Sequence, residues 1–279
     1  MASGFSSWIF IILFVLVFMC AAQDSSARKL IKHDDDHHND HDTMDPSQNI
    51  FFTIDDLKRG KSMPIYFSPK SPSNSIPRLL SREEANSIPF SSSQLPSLLQ
   101  LFSISKDSPQ AQAMNYTLSL CELEPIQGET KLCATSLESM LDFARGILGS
   151  GTHLRVLTTS FLENPKNPSL QNYTVLGDPR EIPAPKMVAC HSMPYPHAVF
   201  YCHSQESKNR VFEISLEGSE NGGGGGESRV EAVGVCHVDT SHWDRDHVSF
   251  KVLKIKPGTS SPVCHVFPPD NLVWVPLSA

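Results

Sequence analysis

The sequence lacks an excess of positive charge. Its 23 lysines and arginines are outnumbered by 30 aspartates and glutamates, which leaves a formal net charge of -7 over 279 residues. Because proteins bind the phosphates of nucleic acids mainly through Lys and Arg, this balance argues against a nucleic-acid partner. A Ser-His-Asp signature, a phosphate loop and a clear pair of carboxylates are also absent from the sequence. The sequence therefore gives no support for a hydrolase or a nucleotide-dependent enzyme.

Long apolar runs are scarce as well, and the clearest one stands at the amino terminus. Trp8 to Met19 is uninterrupted apolar sequence, and Cys20-Ala21-Ala22 then offers small residues at the positions typical of a signal-peptidase site. We predict a signal peptide over residues 1–22 that is removed before Gln23. No later segment is long and apolar enough to span a membrane. The mature chain is thus expected in the secretory pathway, with no membrane span after cleavage.

Residues 23–49 lack the apolar side chains from which a core could form, and they are rich in His and Asp. We predict that they form a disordered leader. Its histidines His33, His37, His38 and His41 could hold a divalent ion loosely, but a solvated, pH-sensitive linker is the interpretation that we favour. The leader also contains no Tyr or Trp.

Four Cys-His dipeptides distinguish the rest of the sequence. They are Cys190-His191, Cys202-His203, Cys236-His237 and Cys264-His265. With 7 Cys and 12 His in the chain, chance would produce this dipeptide only about 0.3 times. Adjacent residues of a β-strand point to opposite faces, so each dipeptide can place sulfur on one face of a sheet and an imidazole on the other. The pattern predicts a stapled sheet that presents histidine ligands.

Loss of Cys20 with the signal peptide would leave an even number of cysteines. These are Cys121, Cys133, Cys190, Cys202, Cys236 and Cys264. In an oxidising compartment an even number favours disulfides over zinc thiolates, although six cysteines allow fifteen connectivities and the sequence does not choose among them. Cys121 and Cys133 bracket the loop between two predicted helices, which makes them the favoured local pair. Asn115 and Asn172 begin glycosylation sequons, which suit the same compartment.

The hydrophobic period changes from helical spacing to strict alternation at about Leu154. Helix-start signals precede that point: Ser81 with Glu84, Ser108-Pro109, and Thr135 with Glu138. Strands are predicted beyond it at 154–161, 173–177, 186–191, 198–203, 210–216, 229–239, 247–255, 263–267 and 272–275. This order predicts an α+β fold with a helical N-terminal part followed by a β-rich, disulfide-stapled C-terminal core.

From Phe51 to the C terminus the residues resemble the plant BURP-domain family, which places the domain at residues 50–279. Besides the four Cys-His dipeptides, the motifs that carry the resemblance are Phe51-Phe52, Gly128 to Cys133, Thr135 to Met140, Cys236 to Ser241 with Trp243, and Val273-Trp274-Val275. The short leader without tandem repeats resembles the seed type, the unknown seed protein-like branch. Relatives in that branch are implied to occupy the Golgi, dense vesicles and protein storage vacuoles.

The resemblance implies that His191, His203, His237 and His265 are copper ligands. A site built from imidazole nitrogens suits Cu(II) or Zn(II). His197 stands where relatives usually carry an aromatic residue, and it is an optional extra ligand. A polar cluster follows the third dipeptide, namely Asp239, His242, Asp244, Asp246 and His247. These residues could support the ligands or transfer protons, but a polar turn is the favoured interpretation, and Trp243 and Trp274 are expected in the core.

The resemblance leaves two functions open. Some family members are implied to be copper-dependent oxidative cyclases that join a Tyr or Trp side chain to another residue of a peptide. Because the leader contains neither residue, self-cyclisation is not expected, and cyclisation of another peptide in trans is the alternative. The function that we favour is a non-catalytic, copper-binding protein of the seed, cell wall or storage vacuole, involved in seed or reproductive development. Its partner would be a peptide, a wall polymer or storage cargo.

Overall fold

The computed structural model describes residues 51–67, 77–162, 171–219 and 228–277. The predicted signal peptide and the predicted leader with its four histidines lie outside these ranges. The described helices are α1 (Arg82–Asn86), α2 (Leu95–Leu101), α3 (Pro109–Glu122), α4 (Leu137–Leu148) and α5 (Val248–Leu253). Among the residues described, no helix combines the length and the apolar character needed to cross a membrane.

Thirteen strands run through the described ranges. They are β1 (Phe51–Phe52), β2 (Ser62–Ile65), β3 (Glu129–Ala134), β4 (Leu154–Leu157), β5 (Ser160–Phe161), β6 (Gln171–Val175), β7 (Arg180–Ile182), β8 (Val188–Met193), β9 (Val199–Gln205), β10 (Asn209–Ser219), β11 (Ser228–His237), β12 (Val263–Val266) and β13 (Leu272–Pro276). Eight of them form a larger sheet in the order β1-β12-β11-β10-β6-β2, with β5 paired to β11 and β7 paired to β10. The other five form a smaller sheet in the order β3-β9-β8-β13-β4.

The two sheets share a buried apolar layer. Val211, Val233 and Val235 of the larger sheet pack there with Ala189, Val273 and Val275 of the smaller sheet and with Phe267, which follows β12. Strand alternation gives each sheet a second buried face. That of the larger sheet packs around Tyr173 and Ile214, and that of the smaller sheet packs against α4. The protein is therefore a mixed α+β fold with a β-rich core.

Local sequence signals explain where the helices begin and end. The predicted capping box of Ser81 with Glu84 is confirmed, as is the start of α3 at Ser108-Pro109. The box predicted for Thr135 and Glu138 is wrong by one residue, because Ser136 is the N-cap and its hydroxyl accepts from the backbone N–H of Ser139. Helix α4 ends at Gly149, whose φ of 107° is a conformation that side-chain-bearing residues rarely adopt.

Most of the predicted strands are present, but one of them is a helix and another is divided between the two sheets. Residues 247–255 were predicted to form a strand and instead contain α5, because His247 caps the backbone N–H of Ser249 through Nδ1 and favours a helical turn. The segment 154–161 divides into β4 and β5, which belong to different sheets. Strands β1, β2 and β3 also precede or interrupt the helices, so the chain does not divide into a helical half followed by a strand half.

Candidate metal centre

All six cysteines named above form disulfides, so the prediction of a stapled fold is confirmed. Cys190 and Cys202 lie opposite each other on β8 and β9, and Cys236 and Cys264 lie opposite each other on β11 and β12. Cys121 at the end of α3 bonds to Cys133 on β3. The Cα–Cα distances are 3.9, 4.0 and 5.7 Å respectively. The Cys121–Cys133 bond spans the segment between α3 and α4. This segment was predicted to be a loop, but it contains β3.

The four histidines follow from the alternation of the strands. The Cys190–Cys202 and Cys236–Cys264 bonds belong to the outer buried faces of their sheets, so the neighbouring imidazoles point toward the other sheet. His191 and His203 come from β8 and β9 and are called the smaller-sheet pair; His237 and His265 come from β11 and β12 and are called the larger-sheet pair. The structure thus brings together the four residues predicted as ligands.

Within each pair the two Nε2 atoms face each other. Their separation is 3.3 Å between His191 and His203 and 3.4 Å between His237 and His265. The pairs meet through His191 and His265, whose ring centroids are 6.2 Å apart. Phe267 stacks on both of these rings, at 4.9 Å from His191 and 5.0 Å from His265. A single buried aromatic residue therefore joins the two pairs.

Polar side chains hold the outer nitrogens of the smaller-sheet pair. The Nδ1 atom of His203 lies 2.9 Å from Glu129 Oε1, and the Nδ1 atom of His191 lies 3.0 Å from Asn271 Nδ2. Burial would raise the pKa of Glu129, but its contacts with His203, Ile126 and Lys131 together lower the pKa below its usual value. Glu129 is consequently an ionised acceptor behind His203.

The larger-sheet pair has neutral partners. The Nδ1 atom of His237 lies 2.8 Å from Asn209 Oδ1 and 3.0 Å from Gln205 Oε1. The indole of Trp243 covers the His237 ring at 5.0 Å between centroids. Trp243 is partly buried and forms a wall of the histidine cluster. It belongs to none of the buried apolar clusters of the described residues, so the prediction that it lies in the core is not confirmed.

Three imidazoles of the cluster, those of His191, His237 and His265, are held in the neutral form. Burial lowers the pKa of His191 well below its usual value, and the neighbouring His203 and His265 lower it further. Burial also lowers the pKa of His237 well below its usual value, with repulsion from His265 the next cause. Burial lowers the pKa of His265 to about 4. A metal ion binds only the neutral imidazole, so the neutral charge of these three residues meets one requirement of a metal site.

The fit of a metal to these residues is partial. Two nitrogens on one tetrahedral metal, each at about 2.0–2.1 Å, lie about 3.3–3.4 Å apart. Each histidine pair has this spacing, and imidazole nitrogens are suitable donors for copper. However, across the ranges that the structure describes, no group of three or more His, Cys, Asp or Glu side chains is placed to hold a metal ion. The structure contains two two-histidine sites, which would need to approach each other to act as one.

The other predicted site residues lie elsewhere. His197 is buried, and its described contacts are with Tyr195, Phe102 and the carbonyl of Ala198 rather than with the four histidines. His247 contacts Trp243 at 4.9 Å between centroids. Asp239 and Asp244 accept backbone N–H groups two residues ahead, as expected for polar turns. Trp274 packs partly buried against the α4 face of the smaller sheet.

The two predicted glycosylation sites differ in exposure. Asn115 lies partly buried within α3, whereas Asn172 is exposed on β6. Glycosylation at both positions stays a prediction.

Sequence reasoning missed the residues that surround the histidines. Glu129, Asn209, Phe267 and Asn271 are separated from the rings that they contact by gaps ranging from 2 to 80 positions. Of these only Phe267, at alternate spacing from His265 beside β12, carried a local signal. A cavity of about 280 Å³ is lined by Trp243 and Gln205, which both contact His237, and by residues that include Glu206 and Asp239; none of the four histidines lines it.

Comparison with known proteins finds consistent relatives. The family model described as BURP domain matches residues 50–276. The BURP domain-containing protein BNM2A of Brassica napus is 45% identical over 271 residues, which cover 94% of each chain. The BURP domain protein USPL1 of Arabidopsis thaliana is 43% identical over 285 aligned residues, which cover 99% of each chain. The BURP domain protein RD22 of the same plant is 41% identical over 231 residues, 82% of this chain and 56% of the relative.

Proposed function

The chain belongs to the BURP-domain family of plant proteins, and from that premise we propose that it is a copper-binding protein of the secretory pathway. The observation that carries the proposal is the convergence of four imidazoles into two pairs whose Nε2 atoms are 3.3 and 3.4 Å apart. His191, His203, His237 and His265 would hold the metal. The disulfides beside them constrain the strands, so the spacing within each pair does not depend on flexible loops.

The chemistry of the site supports copper over harder cations. Mg²⁺ and Ca²⁺ prefer oxygen ligands, whereas Cu(II) prefers imidazole nitrogen. The sulfur atoms are consumed in disulfides, which leaves nitrogen as the donor. Glu129 behind His203 and Asn209 behind His237 accept hydrogen bonds from Nδ1, an arrangement that orients histidine ligands and raises their basicity.

The role that we favour is non-catalytic. A copper ion bound here would supply one-electron redox chemistry, but the leader contains no Tyr or Trp that this domain could modify in its own chain. The three disulfides suit an oxidising compartment. The match to the BURP domain protein USPL1 covers 99% of each chain. We propose a function in seed or reproductive development, in a storage vacuole or the cell wall, because the short leader resembles the seed branch of the family.

The cavity beside the larger-sheet pair supports a second function, oxidative cyclisation of a separate peptide. Trp243 lines this cavity and also covers His237, so a peptide aromatic residue lying there would be one side chain away from His237. Each new bond would remove two protons and two electrons from the peptide, which equal two hydrogen atoms, and dioxygen would accept them to give hydrogen peroxide. Tyr- or Trp-containing peptides incubated with copper-loaded protein should then yield products lighter by two hydrogens. An unchanged peptide mass with fully loaded protein favours the non-catalytic role.

Copper titration against a competing chelator tests the proposed function. His203→Ala and His265→Ala each remove one ligand from a different pair, and each should weaken Cu(II) binding at least about tenfold. The matched control is His153→Ala, because His153 is exposed on the segment before β4 and lies outside the cluster. A variant with His33, His37, His38 and His41 all replaced should also keep its affinity. If the leader variant loses copper and the two cluster variants retain it, the proposed site is wrong.

A further inference from the structure

Asn271 has a fixed amide orientation. The residue is only 7% exposed and lies immediately before β13. Its Oδ1 atom accepts the backbone N–H of Ser192 at 3.0 Å. A backbone N–H can only donate, so the oxygen must face Ser192 and the amide nitrogen must face the other way. That nitrogen lies 3.0 Å from Nδ1 of His191.

The orientation of Asn271 determines where His191 carries its proton. An amide NH₂ group only donates, so Nδ1 of a neutral His191 is the acceptor and the ring proton is on Nε2. This Nε2–H points to Nε2 of His203, 3.3 Å away. His203 then carries its own proton on Nδ1 and donates it to Glu129 at 2.9 Å. In this series of hydrogen bonds, which runs from Asn271 through the two histidines to Glu129, every donor has a matching acceptor.

Asn209 has the opposite effect on the larger-sheet pair. Its Nδ2 donates to the carbonyl of Ser207 at 2.9 Å, so its Oδ1 faces Nδ1 of His237 at 2.8 Å. His237 therefore carries its proton on Nδ1, and its unprotonated Nε2 faces Nε2 of His265 at 3.4 Å. The two asparagines stand at equivalent places behind the two pairs, yet one presents an NH₂ group to its histidine and the other presents an oxygen.

We propose that Asn271 is a positioning residue that keeps His191 in the Nε2–H tautomer and thereby withholds its Nε2 from a metal ion. This inference rests on the proposed function for its consequence in metal affinity. For His191 to bind through Nε2, its proton must leave or move to Nδ1, where it would oppose the Asn271 NH₂ group. Full use of the four histidines then requires the amide to turn and to give up its bond to Ser192.

Histidine tautomers in the metal-free protein test the first step directly. Long-range ¹H–¹⁵N spectra of wild-type protein at a pH above 7 distinguish a protonated Nδ1 from a protonated Nε2. His191 should be protonated on Nε2, and His203 and His237 on Nδ1. A wild-type His191 protonated on Nδ1 overturns the inference, and this measurement needs neither a variant nor copper.

Asn271→Asp tests the consequence. A carboxylate accepts from both Ser192 N–H and His191 Nδ1–H, so the His191 tautomer should reverse and Cu(II) affinity should rise by about tenfold. Asn209→Asp is the control for charge, because it adds the same charge behind His237 and keeps an acceptor at Nδ1 of His237, while giving up the bond from Nδ2 to the Ser207 carbonyl. In this variant the His237 tautomer should not change, and the gain in Cu(II) affinity should be clearly smaller than in Asn271→Asp. Equal gains in the two variants would mean that charge alone acts, which would overturn the role of Asn271.

The two proposals fail in distinguishable ways. Wild-type protein that binds no Cu(II) overturns the proposed function, while the tautomer reversal in Asn271→Asp is still measured without metal. If Asn271→Asp does not fold, the wild-type spectra still decide whether His191 carries its proton on Nε2.

Discussion

The two Cys-His strand pairs are built alike and surrounded differently. In each, a disulfide joins residues that lie opposite each other on antiparallel strands, and the following histidines meet on the other face. The smaller-sheet pair is backed by a carboxylate and an amide NH₂ group, from Glu129 and Asn271. The larger-sheet pair is backed by amide oxygens and covered by Trp243. A repeated motif thus reproduces the positions of the rings, whereas the neighbours decide the positions of the protons.

Removing the disulfides should have the largest effect on the two strand pairs. Replacement of both cysteines by Ala should lower the free energy of unfolding by about 3 kcal/mol for a loop of the Cys190–Cys202 length, and by about 0.7 kcal/mol more for the longer Cys236–Cys264 loop. The sequence separations are 12 and 28 residues. Denaturant unfolding of the two double variants measures the difference. A larger loss for the smaller-sheet bond would show that packing, not loop length, sets the order.

The third disulfide supplies the control for that experiment. Cys121 and Cys133 are also 12 residues apart but lie outside the histidine strand pairs of β8, β9, β11 and β12. Their replacement should cost stability of the same order as loss of Cys190–Cys202. It should leave the histidine spectra unchanged.

Acidification should lower the free energy of unfolding through the buried histidines of the larger-sheet pair. The pKa values of His237 and His265 are lowered by burial, so the unfolded chain binds protons that the folded chain does not. Stability from these residues is fully present above pH 6.5 and is lost as pH falls from there toward the folded pKa, which for His265 is about 4. Each such histidine contributes a slope of up to about 1.4 kcal/mol per pH unit. Unfolding measured between pH 7 and pH 5 gives this slope.

Single Gln substitutions separate the contributions to that slope. His237→Gln and His265→Gln should each reduce the slope of unfolding free energy against pH by up to the contribution of one proton. His191→Gln should do the same for the smaller-sheet pair, because burial also lowers the pKa of His191. A slope that is unaffected by all three substitutions would mean that other groups cause the acid sensitivity.

Phe267→Leu is the smallest of the predicted perturbations and acts on both pairs at once. Phe267 stacks on His191 and on His265 at nearly equal distances, 4.9 and 5.0 Å. Leu keeps an apolar side chain in the core, so the loss of stability should be about 1 kcal/mol. The ring-proton shifts of His191 and His265 should change together, whereas those of His203 and His237 should move less. A change confined to one pair would show that the pairs are not joined through this ring.

Much of the candidate site could be predicted from the sequence because its key relation is local. Cys236 and His237 are neighbours on one strand, and the pleat places them on opposite faces wherever that strand lies. The signals at Ser81 and Ser108 were equally local and located two helix starts. Prediction was wrong at His247, where alternating apolar residues suggested a strand but the capping interaction with Ser249 favours a helix.

The sequence by itself determined that sulfur and imidazole alternate across strands, because that relation requires only adjacent residues. It did not determine which cysteines pair, since fifteen pairings of six cysteines are possible and only the register of β8 with β9 and of β11 with β12 selects two of the bonds. The tertiary structure alone decided where the histidines carry their protons. Asn271 is 80 positions from His191, and Glu129 is 74 positions from His203. Hydrogen bonds act over about 3 Å, so only the folded chain can bring such partners into reach.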